Sequence, residues 1–146
     1  MVPEYFPFKI VPISEASDAL SKILPNAPLL SPDKIFSVAE SRLLSPEFVR
    51  LENWDAQEFG NDIYSKAEIF DLMFRERPPE SQLFFLPDDI LSLQKGTALS
   101  YIGTNLREAI LNFPRFVFDS DAVFVWPNEN QVSVFHHGGG FFHVRA

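Results

Sequence analysis

The sequence predicts an α+β fold in which N-terminal helices pack on one face of a C-terminal antiparallel β-meander. Two observations carry this. From about residue 14 to residue 113 the apolar side chains recur at helical spacing between prolines, whereas beyond Pro114 the period changes to two. Helices grouped before strands indicate segregated rather than alternating architecture. A third observation bounds the size: 146 residues suit one hydrophobic core, with roughly 70% of the unfolded surface buried on folding. Residues 1–146 are therefore read as a single α+β domain.

The elements follow in order. Prolines 3, 7 and 12 among apolar residues make residues 1 to 13 an extended arm or edge strand, because proline removes a backbone donor. A short helix runs from about Ser14 to Leu24, and PNAPLLSP ends it. Ser31-Pro32-Asp33 is a helix start: serine caps free amides, proline fits the first helical position and aspartate suits the dipole. Ile35, Phe36, Ala39 and Leu43 then share one face. Ser45-Pro46-Glu47 repeats the signal and predicts a shorter helix to about Leu51.

Between Asp62 and Glu76, Ile63, Ala67, Phe70 and Phe74 form a wide apolar face, which predicts the central helix. Pro78-Pro79 ends it. QLFFL (82–86) reads as a buried strand, Pro87-Asp88-Asp89 as a helical start, and Thr104 as the cap of a helix carrying Leu106, Ala109, Ile110 and Phe113. RFVF, AVFVW, QVSVFHH and FFHVR, separated by DSD, PNEN and GGG, are the expected strands of the meander.

Composition excludes several classes. The chain holds 16 phenylalanines and 12 prolines, so its core should be aromatic and its elements short. No run of about 18 apolar residues is present, and the N-terminus lacks a signal-peptide pattern. No membrane association is expected, and the cytoplasm is the expected location. The absence of cysteine removes disulfides, thiolate nucleophiles and sulfur-ligated zinc. A net charge of −8, from 20 acidic against 12 basic side chains, opposes a phosphate backbone, so nucleic acid is not an expected partner.

Three motifs invite a catalytic reading. His137-Gly138-Gly139-Gly140 matches the HGGG string whose amides form an oxyanion hole in lipases and esterases, but the G-x-S-x-G elbow it requires is missing. FVFDSDAV (116–123) resembles the strand and aspartate pair that opens haloacid-dehalogenase phosphatases. Only 25 residues lie beyond Asp121, and a turn is the simpler reading. The third motif is histidine: His136, His137 and His143 flank the glycines, and zinc accepts imidazole readily. Strand alternation turns adjacent His136 and His137 to opposite faces. The two registers considered, a Gly139-Gly140 turn or a three-glycine loop, each bring at most two histidines together. His136 and His143 are the candidate pair, yet no cofactor and no tightly bound metal are expected.

The stretch 47–62 holds five carboxylates, one arginine and interleaved aromatic rings. Acidic groups around an aromatic anchor suit a basic protein surface, which makes Glu52, Trp54, Asp55, Glu58 and Phe59 the candidate partner-binding residues. The competing reading buries Trp54 in the core. No complete catalytic constellation is present, and the expectation leans away from an enzyme. The leading expectation is a small acidic binding protein that neutralises a basic protein, in the manner of an immunity protein or antitoxin facing a toxin. The alternative is a small enzyme or ligand-binding domain using the His136/His137/His143 hairpin with Asp119, Asp121 or Glu129.

Overall fold

Short runs of valine and aromatic residues between turn segments after residue 121 produce the centre of the molecule. In the computed structural model Ala122–Trp126 (β5), Gln131–His136 (β6) and Gly140–Arg145 (β7) form an antiparallel meander, as the period of two requires. Four further strands extend it: Lys9–Pro12 (β1), Val49–Arg50 (β2), Leu83–Pro87 (β3) and Thr97–Tyr101 (β4). The resulting seven-stranded sheet has the order β1-β4-β3-β5-β6-β7-β2, and every pairing is antiparallel. The structure describes residues 6–28, 32–52, 54, 64–75, 78–87, 96–114, 117–118 and 120–146.

The described helices are Ile13–Ile23 (α1), Pro32–Ser41 (α2), Lys66–Met73 (α3) and Leu106–Leu111 (α4). Each buries a stripe at helical spacing, such as Ala16, Ala19, Leu20 and Ile23 on α1. The α+β class is as expected, and the sheet is covered on both faces rather than one. Along β5, Ala122, Phe124 and Trp126 join the core with α3 and α4, while Val123 and Val125 join the core with α1 and α2. A strand buried on both sides reads as the continuous apolar run AVFVW.

Local chemistry sets the helix ends. Ser65 and Glu68 form a reciprocal capping box at the start of α3, with the Glu68 N–H donating to Ser65 Oγ at 3.1 Å. Asn105, not Thr104, caps α4, its side chain accepting from the Glu108 N–H at 3.2 Å. Ser31, the expected cap of α2, and Pro87-Asp88-Asp89 as a helix start fall wholly or partly outside the described residues.

Three expectations are overturned. The helix expected from Ser45-Pro46-Glu47 to Leu51 is absent; Val49 and Arg50 form the edge strand β2, paired with Phe141 and Gly140. Leu43 and Ser45 take positive φ values of 59° and 47°, a conformation no helix contains. Leu43 also leaves the buried face of α2 and is 88% exposed. Finally, the described part of RFVF, Val117 and Phe118, is a buried turn rather than a strand, and the sheet takes β4 from the unassigned segment TALSY instead.

α3 and α4 are clamped by one ion pair. Arg107 donates from Nε to Asp71 Oδ1 at 2.8 Å and from Nη2 to Oδ2 at 3.1 Å. The hydrogen bond, and then the charge of the guanidinium, hold the Asp71 carboxyl below its ordinary value. A carboxyl lowered on folding contributes stability above its unfolded pKa and loses that contribution as pH falls through its folded value. Arg107→Gln should return the Asp71 titration, followed by NMR, to the ordinary carboxylate range. Its small stability deficit at neutral pH should vanish in acid; an unchanged Asp71 titration would contradict the pairing.

Candidate functional site

The glycine run at the end of β6 serves packing. His136 pairs with Gly140 and Phe135 with Phe141, so the loop is His137-Gly138-Gly139 and neither expected register is correct. A three-residue loop needs a left-handed residue at its third position. Gly139 supplies it at φ 85°, and its N–H donates to the His136 carbonyl at 3.0 Å. The indole of Trp54 lies over Gly139 and the ring of Phe48 over Gly140, each so close that a Cβ would overlap the ring. Two glycines thus form the seat on which residues 48 to 54 dock, and the Leu51 N–H fixes that docking by donating to the Gly139 carbonyl at 2.7 Å.

Trp54 is consequently 4% exposed, packed on Phe135 and Tyr64. Its Nε1–H donates to the His137 carbonyl at 3.0 Å. This corrects the expectation of an exposed anchor: the ring belongs to the core. Glu52 is exposed, while Asp55, Glu58 and Phe59 lie outside the described residues. Among the described residues of this stretch, Phe48 is the aromatic that reaches solvent, at 44% exposure.

The histidines divide between the two faces of the sheet. His143 opposes Ser133 on the face covered by α3. His136 lies on the other face, its Nε2 3.3 Å from Asp33 Oδ1, so His136 and His143 do not form a pair. The expectation that adjacent His136 and His137 diverge is also overturned. Their ring centroids are 4.1 Å apart, because β6 ends at His136 and strand alternation no longer governs His137. Asp121 Oδ1 accepts from the His137 N–H at 2.8 Å and lies 2.9 Å from its Nδ1.

Ligand atoms of Asp121, His136 and His137 fall within 4.8 Å of one another. The hydrogen bonds in place account for this grouping without an ion. His136 Nδ1 accepts the Gly138 N–H at 2.9 Å, which puts the proton of the neutral ring on Nε2, facing Asp33. A cation at Nε2 would displace that proton, and one at Nδ1 the Gly138 N–H. Asp119, the first aspartate of the phosphatase-like string, lies outside the described residues, and Glu129 stands in the turn Pro127–Glu129 at the opposite end of β6.

Two groupings of residues were not brought out by the sequence. One is the segment joining α2 to β2. α2 ends with the Leu44 N–H donating to the Ala39 carbonyl at 3.1 Å and the Leu43 N–H to the Glu40 carbonyl at 3.0 Å. This is a Schellman closure, whose left-handed position usually holds glycine, and here it holds Leu43. The other is a polar chain at the α3 end of the sheet. Arg145 donates to Gln131 Oε1 at 2.9 Å, and Gln131 Nε2 to Ser133 Oγ at 3.1 Å. Ser133 Oγ is 2.7 Å from His143 Nδ1, and His143 Nε2 is 2.8 Å from the Met73 carbonyl. Since a carbonyl only accepts, the neutral His143 ring carries its proton on Nε2, and Ser133 then donates to Nδ1. Polar residues at inward positions of a strand were the available signal.

Comparison with protein-family models, with curated proteins and with solved structures returned no match. No helix among the described residues is long and apolar enough to cross a membrane.

Proposed function

We propose that this chain is a small acidic binding module that captures a basic protein partner through the edge formed by residues 43 to 52. The observation that carries the reading is Leu43. A leucine in the left-handed conformation costs roughly 1 to 2 kcal/mol relative to ordinary backbone, and glycine would close the helix without that penalty. At 88% exposure the side chain recovers almost nothing by burial. Folding gives no reason for a leucine there, whereas strain held at an exposed apolar residue suits a contact surface.

Its surroundings fit. Phe48 and Val49 are 44% and 39% exposed, Glu40, Glu47 and Glu52 are exposed around them alongside Arg42 and Arg50, and β2 ends the sheet. The net charge of −8 would steer a basic partner to the molecule, with the apolar side chains supplying the buried centre of the contact. A partner that is a toxin, neutralised as by an immunity protein or antitoxin, is the form of this reading that the charge and size favour, with the cytoplasm as its setting.

The test is purification of the native complex, followed by association kinetics with the co-purifying basic protein. Leu43→Gly should stabilise the free chain by about 1 kcal/mol while weakening the complex, two effects of opposite sign on one substitution. Reversing Glu47 and Glu52 to lysine should slow association severalfold at low salt and flatten its salt dependence, with little change in melting. Leu43→Gly leaving affinity unchanged would remove the reading.

A further inference from the structure

Where the sheet meets the end of α3, a cleft of about 510 Å³ opens, within the size range of sites for small organic ligands. Its walls are mainly apolar, including Leu51, Leu72, Phe74 and Phe141, and among the described residues its charged lining is Arg75 and Arg145. Among the described residues no carboxylate lines it, although the chain carries 20 acidic side chains against 12 basic ones. Glu80 and Glu129 share a neighbouring shallow depression with Arg145 and stay outside this cleft.

The polar chain described above gives the cleft a built floor. Gln131 and Ser133 are 9% and 0% exposed, opposite Trp126 and Phe124 of β5. Burying such groups is tolerated only when each is hydrogen-bonded, and here each link is made, from Met73 through His143, Ser133 and Gln131 to Arg145. The chain therefore ends by holding one arm of the Arg145 guanidinium at the mouth. An arginine has five donors in a fixed fork, and one restrained in advance loses less freedom when an anion arrives.

We propose that this cleft binds a small organic anion with one carboxylate and an apolar body, the carboxylate received by Arg145 and Arg75 and the body lying between Leu72, Phe74 and Phe141. This site is separate from the partner-binding reading, because it needs neither the partner nor Leu43. It does share a wall with β2, since Val49 and Leu51 also line it.

Calorimetric titration of the free chain with octanoate tests the proposal. Octylammonium, with the same body and opposite charge, and acetate, with the charge and no body, are the controls. Octanoate should bind at one saturable site, and both controls at least tenfold more weakly. Arg145→Gln and Arg75→Gln should each weaken octanoate about tenfold, the ordinary effect of losing a charge-assisted hydrogen bond. Arg145→Lys should fall between, keeping charge without the fork. Arg75 is exposed, so Arg75→Gln should melt near the parent value; Arg145→Gln also takes the donor from the buried Gln131 Oε1 and should melt lower, so binding is compared well below both transitions. Equal binding of octylammonium, indifference to Arg145→Gln, or no saturable octanoate binding in the millimolar range would each overturn it.

Discussion

Trp54→Ala is expected to lower folding stability by about 3 to 5 kcal/mol, the usual cost of emptying a large aromatic site in a core. The indole contacts Phe135 and Tyr64 and donates to the His137 carbonyl. Removing it leaves a cavity and takes a donor from the hairpin. The loss should be local as well as global: amide exchange at Leu51, whose N–H donates to the Gly139 carbonyl, should accelerate more than at Val134 in the centre of β6. Denaturant unfolding and hydrogen exchange check both parts. A loss under about 1 kcal/mol would mean that the ring does not support the core.

Gly139→Ala is expected to cost about 2 to 5 kcal/mol, as a sum of two penalties. The left-handed backbone at φ 85° charges alanine roughly 1 to 2 kcal/mol, and the added methyl overlaps the Trp54 ring, an overpacking cost of about 1 to 3 kcal/mol. The second penalty requires the ring. Gly139→Ala should therefore be milder in a Trp54→Ala background, and a double-mutant cycle should return a coupling of about 1 kcal/mol or more. Strict additivity would show that methyl and indole do not meet.

The fold was readable where one face of an element is repeated often enough to impose a period. β5, β6 and β7 have five or six residues each and were legible as short runs of valine and aromatic residues between turn segments, as was α4 from Leu106, Ala109, Ile110 and Phe113. β4 was not, because TALSY mixes small and polar residues and is buried by its neighbours rather than by its own pattern. β2 was misread because Ser45-Pro46-Glu47 carries every local signal of a helix start. The positive φ at Leu43 and Ser45, set by how α2 closes, overrides that local preference.

At the hairpin, the types of residue were legible and the geometry was not. Strand alternation separates His136 from His137 only while both belong to the strand, and the loop begins one residue earlier than three consecutive glycines suggest. That shift is imposed by Trp54 and Phe48, which need Gly139 and Gly140 beneath them. A contact spanning more than eighty residues of sequence leaves no trace in either local pattern. The same long range hid the cleft: Arg145, Gln131 and Met73 come from separate elements, and only the folded sheet aligns them.

The position of β7 in the sheet has a temporal meaning. Among the described strands β2 pairs only with β7, so residue 50 finds its place against residue 140. Closing so long a loop is slow relative to forming the local helices and hairpin. The edge carrying Phe48 and Val49 is thus expected to be among the last surfaces a folding chain completes, and the cleft wall supplied by Val49 and Leu51 completes with it. A binder directed to that edge would act as an integrity check: it would engage chains whose sheet is closed and pass over those still folding or clipped within the hairpin.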